Sequence, residues 1–423
     1  MPLVAFGIAF GLLLLVSLAA PGWIGSAKSV PVSALAALVV TIALSPGRRK
    51  ATVGAFFQGM RQDTVLRMGG IFLLAGVFAA IGQAIGGINA IVAMSLHILP
   101  RGWILPGLFG ASCAASLAMG TSMGTIAAVV PIAMGVAASG GGSSSVCVAT
   151  VIGGAMFGDN LSVISDTTIA ATKTQGCGMR DKLSVNGPIA TCAAVVTVVF
   201  LLALGSSSHT LPQPPSVGVS WSAAWPYGAA LALALCGVPV LWVLGIGIAL
   251  CLGVGLAAAS LSVIQLPRLL VVGCMNMVDV LLASFFVAGL VQVTQERGGL
   301  RGILRRLRRH VRSKSGAEAS VAALAAVADI CTANNTIAIL LCGPLARRIG
   351  ERFQLDRARC ASLLDIYACL PQGLLPYGAQ MLLAAGLSGI SAFHIVPYVI
   401  YPVVLGLFAA VDMAWRLARN YEL

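Results

Sequence analysis

Residues 158–168 read GDNLSVISDTT, with two aspartates, an asparagine, two serines and two threonines in eleven positions. The stretch sits inside a greasy chain: VCVATVIGGAMF precedes it and GPIATCAAVVTVVFLLAL follows soon after. Ionisable groups within apolar spans are rare and mark function. Polar, unwound backbone at membrane depth is tolerated only where it is buried in protein or lines a cavity. The setting therefore decides what these two carboxylates mean.

The setting is a membrane. The chain has 423 residues, of which 58% are hydrophobic and 9% charged, against roughly 25% charged in a soluble domain. Runs of about 20 apolar residues, enough to cross a bilayer, recur along its length. They are broken by Gly and Pro and show no ten-residue alternation, which predicts helices rather than a barrel. Gly accounts for 49 residues and aromatics for 6%, as expected for helices that approach closely. The start, MPLVAFGIAFGLLLLVSLAAPGW, is uncharged before Lys28. It lacks the basic region of a cleaved signal peptide, so it is read as the first span. The formal net charge of +13 lies between spans, which makes it a topology signal, and no nucleic-acid partner is expected.

Three further breaks resemble the first. MGTSMGT spans 119–125, TANNT spans 332–336, and LDIYACLPQGLLPYGAQ spans 364–380. The breaks pair across the chain at an offset near 211, at which Thr125-Ile126-Ala127 meets Thr336-Ile337-Ala338. Charge strengthens the pairing. Basic segments at 48–67, 173–182, 297–314 and 347–359 fall, after a shift of 211, on stretches almost without charge. Basic loops stay in the cytoplasm, so the two halves are expected to lie upside down to each other, as in secondary transporters. Cytoplasmic loops are then expected at 47–67, 173–187, 297–316 and 347–359, with first spans near 3–22 and 30–46 and a cytoplasmic N-terminus. Amphipathic interfacial helices are expected at 49–66 and 297–313.

The predicted fold class is an all-α polytopic membrane protein of two inverted-topology repeats with broken helices, roughly 10–12 spans of bilayer length. N-terminal spans and a cytoplasmic amphipathic segment occupy 1–65, and the first repeat core 66–205. A periplasmic linker runs over 206–222, spans opening the second half over 223–276, and the second repeat core over 277–423.

Broken helices in corresponding positions of two halves point to the transport site. A carboxylate, amides, hydroxyls and freed carbonyls make an oxygen cage for a hard cation. On this ground the candidate residues at the breaks are Thr121, Ser122, Thr125, Asp159, Asn160, Ser162, Ser165, Asp166, Thr167, Thr168, Asn334, Asn335, Thr336 and Asp365. Asp159, Asn160 and Asp166 are the candidate Na+ ligands. Asp and Asn also cap helices well, and Asp166-Thr167-Thr168 could open one. Asp279 and Asp329 have weaker context. Asp181, Glu296, Glu351 and Asp356 lie beside basic loop residues and are read as charge balance. Asp412 precedes Arg416 by one turn, which predicts an i,i+4 pair. The eleven cysteines form no C-x-x-C pair and are read as small buried apolar residues.

At these residues the chain resembles the NhaC-type sodium/proton antiporter family. GDNLSVISDTTIAATKTQG followed by MRDK is similar to its first-half signature, and ANNTIAI and LLDIYACLPQGLLPYGAQ are similar to its second-half signatures. The likeness covers roughly 65–415 of the sequence. It implies two inverted repeats, each with a re-entrant hairpin and a broken helix, in a bacterial inner membrane, and Na+-coupled exchange. It carries the first-half site over to Asp159, Asn160, Ser162, Ser165, Asp166, Thr167 and Thr168. The second-half site becomes Asn334, Asn335, Thr336, Asp365, Gln372, Pro376 and Tyr377. Better-known members read closer to M-S-P-L-S-D-T-T-N, where this chain has Val163 for proline and Ile169 for asparagine.

The expected function is Na+/H+ antiport; the alternative is Na+-coupled transport of a small organic acid or amino acid. The expected partners are membrane lipid, small cations and, under the alternative, an organic substrate. No cofactor beyond the transported Na+ and H+ is expected, and the resemblance leaves a homodimer open. His97, His209, His310 and His394 are scattered, with no H-E-x-x-H and no nucleophile–base pattern, so the chain does not read as an enzyme.

Overall fold

The computed structural model describes residues 29–43, 49–87, 90, 101–138, 142–206, 221–296 and 313–419. The expected first span, most of the linker, nearly all of the run 297–313, and His97, His209 and His310 lie outside them. The described residues are helical and contain no strand. Six of their helices are long and apolar enough to cross a membrane, or seven if a pair bent by 97° at Ala379–Ser388 and Ala392–Tyr398 counts as one span.

Two short elements open the described chain: α1 (Ser29–Ala43) and α2 (Arg49–Met60). Helix α2 buries Thr52, Ala55, Phe56 and Gly59, the i, i+3, i+4, i+7 stripe expected of an interfacial helix. The stripe rests on the 31-residue α11 (Leu266–Glu296). Helix α3 (Asp63–Ala84) crosses the same partner. A Cβ on Gly76 would lie 2.3 Å from the Gly273 carbonyl oxygen, so this close backbone contact requires the glycine pair.

The rest of the first half is α4 (Ile104–Met119), α5 (Ser122–Ala138), α6 (Ser144–Leu161), α7 (Asp166–Gln175) and α8 (Met179–Ser206). Helices α9 (Trp225–Leu235) and α10 (Val240–Ala257) precede α11. Beyond it come α12 (Lys314–Thr332), α13 (Asn335–Arg352), α14 (Arg357–Gln372), α15 (Ala379–Ser388), the single turn α16 (Ala392–Ile395) and α17 (Tyr401–Arg419).

Helices α4 and α5, of 16 and 17 residues, reach about 24–26 Å at 1.5 Å per residue, short of the roughly 30 Å hydrocarbon core. They pack on each other, so the chain turns back at Gly120-Thr121. Helices α12 and α13 also pack on each other and turn back around Ala333-Asn334, although α12 is long and apolar enough to cross. The other breaks differ. Ser144–Gln175 runs as one 32-residue span through its interruption at 162–165. Its counterpart, α14 and α15, is interrupted at 373–378.

The elements register at 213 rather than 211. Ser122 and Asn335 both open helices 213 residues apart, as do Ser144 and Arg357, and Asp166 and Ala379. The caps agree. Gly120 and Ala333 are both left-handed, at φ 68° and 50°. Gly176 and Gly389 are left-handed at 68° and 69°, and Ser143 and Asp356 both cap the helices they precede. The Thr-Ile-Ala identity is therefore two residues out of register. Packing is exchanged between the halves as well. Helix α5 packs on α15, and its counterpart α13 packs on α7, the counterpart of α15. Swapping the halves maps one contact onto the other, which is what a two-fold relation requires.

Candidate functional site

Asp159 occupies the last turn of α6, and the chain unwinds only after Leu161. The polar stretch 158–168 is thus helical at both ends, with a four-residue break at 162–165. Ser162 fastens the break by donating to the Leu117 carbonyl at 2.8 Å. Ser165 caps α7, accepting from the Thr167 N–H, and its hydroxyl donates to Asp159 Oδ1 at 2.7 Å. Ser122, first residue of α5, donates to Asp159 Oδ2 at 2.9 Å. Asn335, first residue of α13, donates to the same oxygen at 3.3 Å. Thr167 Oγ1 donates to the Asp159 carbonyl at 3.2 Å.

Three helix N-termini, those of α5, α7 and α13, therefore converge on one buried carboxylate. Each carries partial positive charge, which favours an anion there. The side chains that deliver the bonds are hydroxyls and an amide, which can turn lone pairs toward a cation as readily as hydrogens toward the carboxylate. On the far side, Gln380 donates to Ser122 Oγ at 3.1 Å and is itself bonded by Gln372. In the 213 register Gln372 is the counterpart of Asp159, and Asn335 that of Ser122. The first half supplies the charge, and the second supplies amides.

A second centre lies one residue along. Lys182 was expected in a cytoplasmic loop; it is instead the fourth residue of α8 and fully buried. Its ammonium donates to Asp365 Oδ2 at 2.5 Å, to the Asn160 carbonyl at 2.5 Å and to Thr168 Oγ1 at 3.2 Å. Those three bonds use its three hydrogens. The Asn160 carbonyl is among those left free at the end of α6, so the cation also meets the negative end of that helix. Asn186, one turn beyond Lys182, donates to the carbonyl and to the side-chain oxygen of Asn160, and accepts from Ser362 at 3.4 Å. Asp159 with Asn160, and Thr167 with Thr168, each give one residue to either centre.

The remaining candidates fall elsewhere. Asp166, first residue of α7, is exposed and outside both clusters. Thr125 donates back to the Thr121 carbonyl within its own turn at 3.1 Å. Asn334 caps α13 by accepting from the Ile337 N–H. The Thr336 N–H donates to Asn335 Oδ1 at 3.0 Å. Pro376 is half-buried in the break 373–378, and Tyr377 there donates to the Ile330 carbonyl at 2.7 Å. Asp279 is half-buried on α11 and bonds to neither centre.

Lys182, Asn186, Ser362 and Gln380 are the residues that sequence reasoning missed. Lys182 and Asn186 stand one turn apart where KLSVNGPIATCAAVV turns apolar, a spacing that puts both on one helix face. The expected Asp412–Arg416 pair is present at 3.1 Å. Asp412 also pairs with buried Arg359 at 2.5 Å, and Arg359 reaches Glu318 at 3.1 Å.

Buried polar groups at paired helix breaks, inside a bundle of apolar helices, define a multi-pass secondary transporter. The profile of the Na+/H+ antiporter family matches residues 1–206 and 209–412. The chain belongs to that family. It is 32% identical over 114 residues to an uncharacterized protein of Haemophilus influenzae, a match covering 27% of this chain and 22% of the relative's length. Among solved structures it is similar to the Alcanivorax borkumensis YdaH transporter, described as having an unusual topology. That likeness has a TM-score of 0.43 and 12% identity and covers 88% of both chains.

Proposed function

We propose that the protein exchanges Na+ for H+ across a bacterial inner membrane, with its N-terminus in the cytoplasm, and that both ions compete for Asp159. The carrying observation is the convergence of Ser122, Ser165 and Asn335, at three helix starts, on this one carboxylate. A proton on Asp159 leaves as Na+ arrives, and the carboxylate charge passes from an O–H bond to an ion contact. The hydroxyls and the amide then supply oxygens to the cation. The shared steps 159–160 and 167–168 link the cation cluster to the Lys182–Asp365 pair, so loading at one centre strains the other. Alternating access follows from the two inverted halves.

Lys182 has all three hydrogens engaged, and Arg359 is tied to Glu318 and Asp412. Neither of the two cations buried among the described residues is offered to an organic carboxylate, which favours ion exchange over organic-acid transport. The test is a proteoliposome holding an acid-inside pH gradient reported by an acridine-type dye. Added Na+ should dequench the dye with wild-type protein, and Asp159→Asn should abolish the response. If wild-type protein answers neither Na+, Li+ nor K+, the exchange reading fails.

A further inference from the structure

One buried carboxylate takes part in neither centre. Asp329 lies in α12, one turn before the hairpin break at Ala333. It has no exposed surface, and neither carboxylate oxygen has a hydrogen-bond partner among the described residues. Its helical neighbours at three and four positions are Ala325, Ala326, Thr332 and Ala333, none of them charged. The titratable groups within its electrostatic reach are Cys331 on its own helix, Cys342 on α13, Cys369 on α14 and Tyr377 at the second break. None of these carries positive charge.

More distant charges are occupied or remote. Glu318, with Arg359 and Asp412, lies three turns down α12. The arginines of α13 begin at Arg347, three turns past the break, and Asp365 is held by Lys182. Asp279 and Glu296 on α11 make no bond to it. An ionised carboxylate without a partner is not sustained in this conformation, so a proton taken up here leaves only in another state of the cycle. The hydroxyls of Thr332 and Tyr377 donate to the Asn334 and Ile330 carbonyls rather than to Asp329. A proton neutralises the carboxylate without further ligands, whereas a hard cation needs several oxygens around it.

The repeat supports the same conclusion. The counterpart of Asp329 in the first half is Ser116, whose hydroxyl donates to the Ala155 carbonyl at 2.6 Å. The first half thus holds a hydrogen-bond donor at this position, and a carboxyl group matches that role only when protonated. Water-sized space comes within one helical turn of Asp329: a cavity of about 40 Å³, which Asp329 itself does not line, is bounded by Thr332, Asn334 and Tyr377 at the breaks and by Gln62 and Gln295 beyond them. Room of this size holds about two or three waters.

We propose that Asp329 is a second proton-binding group of the transport cycle, loaded through this cavity; the transport half of the proposal rests on the antiport reading. A proton leaves a hydronium ion in the cavity, and an O–H bond forms on one carboxylate oxygen. The experiment is infrared spectroscopy of the reconstituted full chain at neutral pH, combined with the H+/Na+ ratio from reversal potentials. With Na+ saturating, so that Asp159 holds the ion and no proton, wild-type protein should show a protonated-carboxyl band that shifts in heavy water and is absent in Asp329→Asn. The mutant should move one proton fewer per cycle. A band that persists in Asp329→Asn or ignores heavy water overturns the proposal, as does an unchanged ratio in a mutant that still exchanges. If Asp329→Asn does not fold, Asp329→Ser, which copies Ser116, takes its place. Loss of the band in a chain whose wild-type form exchanges no Na+ would reject the antiport reading and leave Asp329's protonation standing.

Discussion

At the scale of single residues, Asp159 and Asp166 illustrate how position outweighs identity. Both sit in the same polar stretch, yet Asp159 meets three helix starts while Asp166 is exposed at the head of α7. Asp166→Asn should keep Na+-driven proton flux within a few-fold of wild type, measured by dye dequenching, whereas Asp159→Asn should lose it. Lys182 and Asp365 form a buried pair, and truncating one partner leaves the other charge uncompensated, at a cost of about 3–5 kcal/mol. Lys182→Met and Asp365→Leu should each lower the thermal midpoint in detergent. The double substitution should recover most of the loss, since it removes both charges. Equal, additive losses would show that the two side chains act independently. The sequence made Asp159 legible through its company of Ser, Asn and Thr. Lys182 was hidden because basic residues cluster near span ends for topological reasons, and a buried lysine at a helix start looks the same on paper.

At the scale of elements, the four breaks were readable because Gly, Ser, Asn and Pro interrupt apolar runs there. Their extent was overread: the helices extend into the polar stretches, and only two to six residues unwind at each break. The repeat offset was misread by two because the halves share caps and helix lengths rather than side chains. Gly120 with Ala333 and Gly176 with Gly389 carry the true register. Close packing sets the hairpin against the broken helix. A Cβ on Gly158 would lie 2.3 Å from the Ser116 Cβ and 2.5 Å from the Leu117 nitrogen. Gly158→Ala should cost about 1–3 kcal/mol of stability and shift Asp159 beside it. Gly110, also helical, has nothing within 4 Å of a Cβ. Gly110→Ala should be neutral or stabilising by up to about 1 kcal/mol. Both are read from thermal melts, and similar behaviour of the two variants would refute the close contact.

At the scale of the whole molecule, the contacts exchanged between halves and the neutral loops opposite basic ones describe one arrangement. It predicts that Ser143 and Asp356, counterparts that cap α6 and α14, face opposite sides of the membrane. With the native cysteines replaced, Ser143→Cys should react with a membrane-impermeant thiol reagent from outside intact cells. Asp356→Cys should react only after permeabilisation. Labelling of both from one side would remove the inversion. The central claim concerns what meets at the middle of this arrangement, where one carboxylate from the first half is shared by helix starts from both. Equilibrium binding of radioactive sodium to the purified protein, followed against pH, tests it most directly. Competition for Asp159 predicts that Na+ binding weakens as the pH falls and vanishes in Asp159→Asn. Binding that is independent of pH, or that survives in Asp159→Asn, would contradict it.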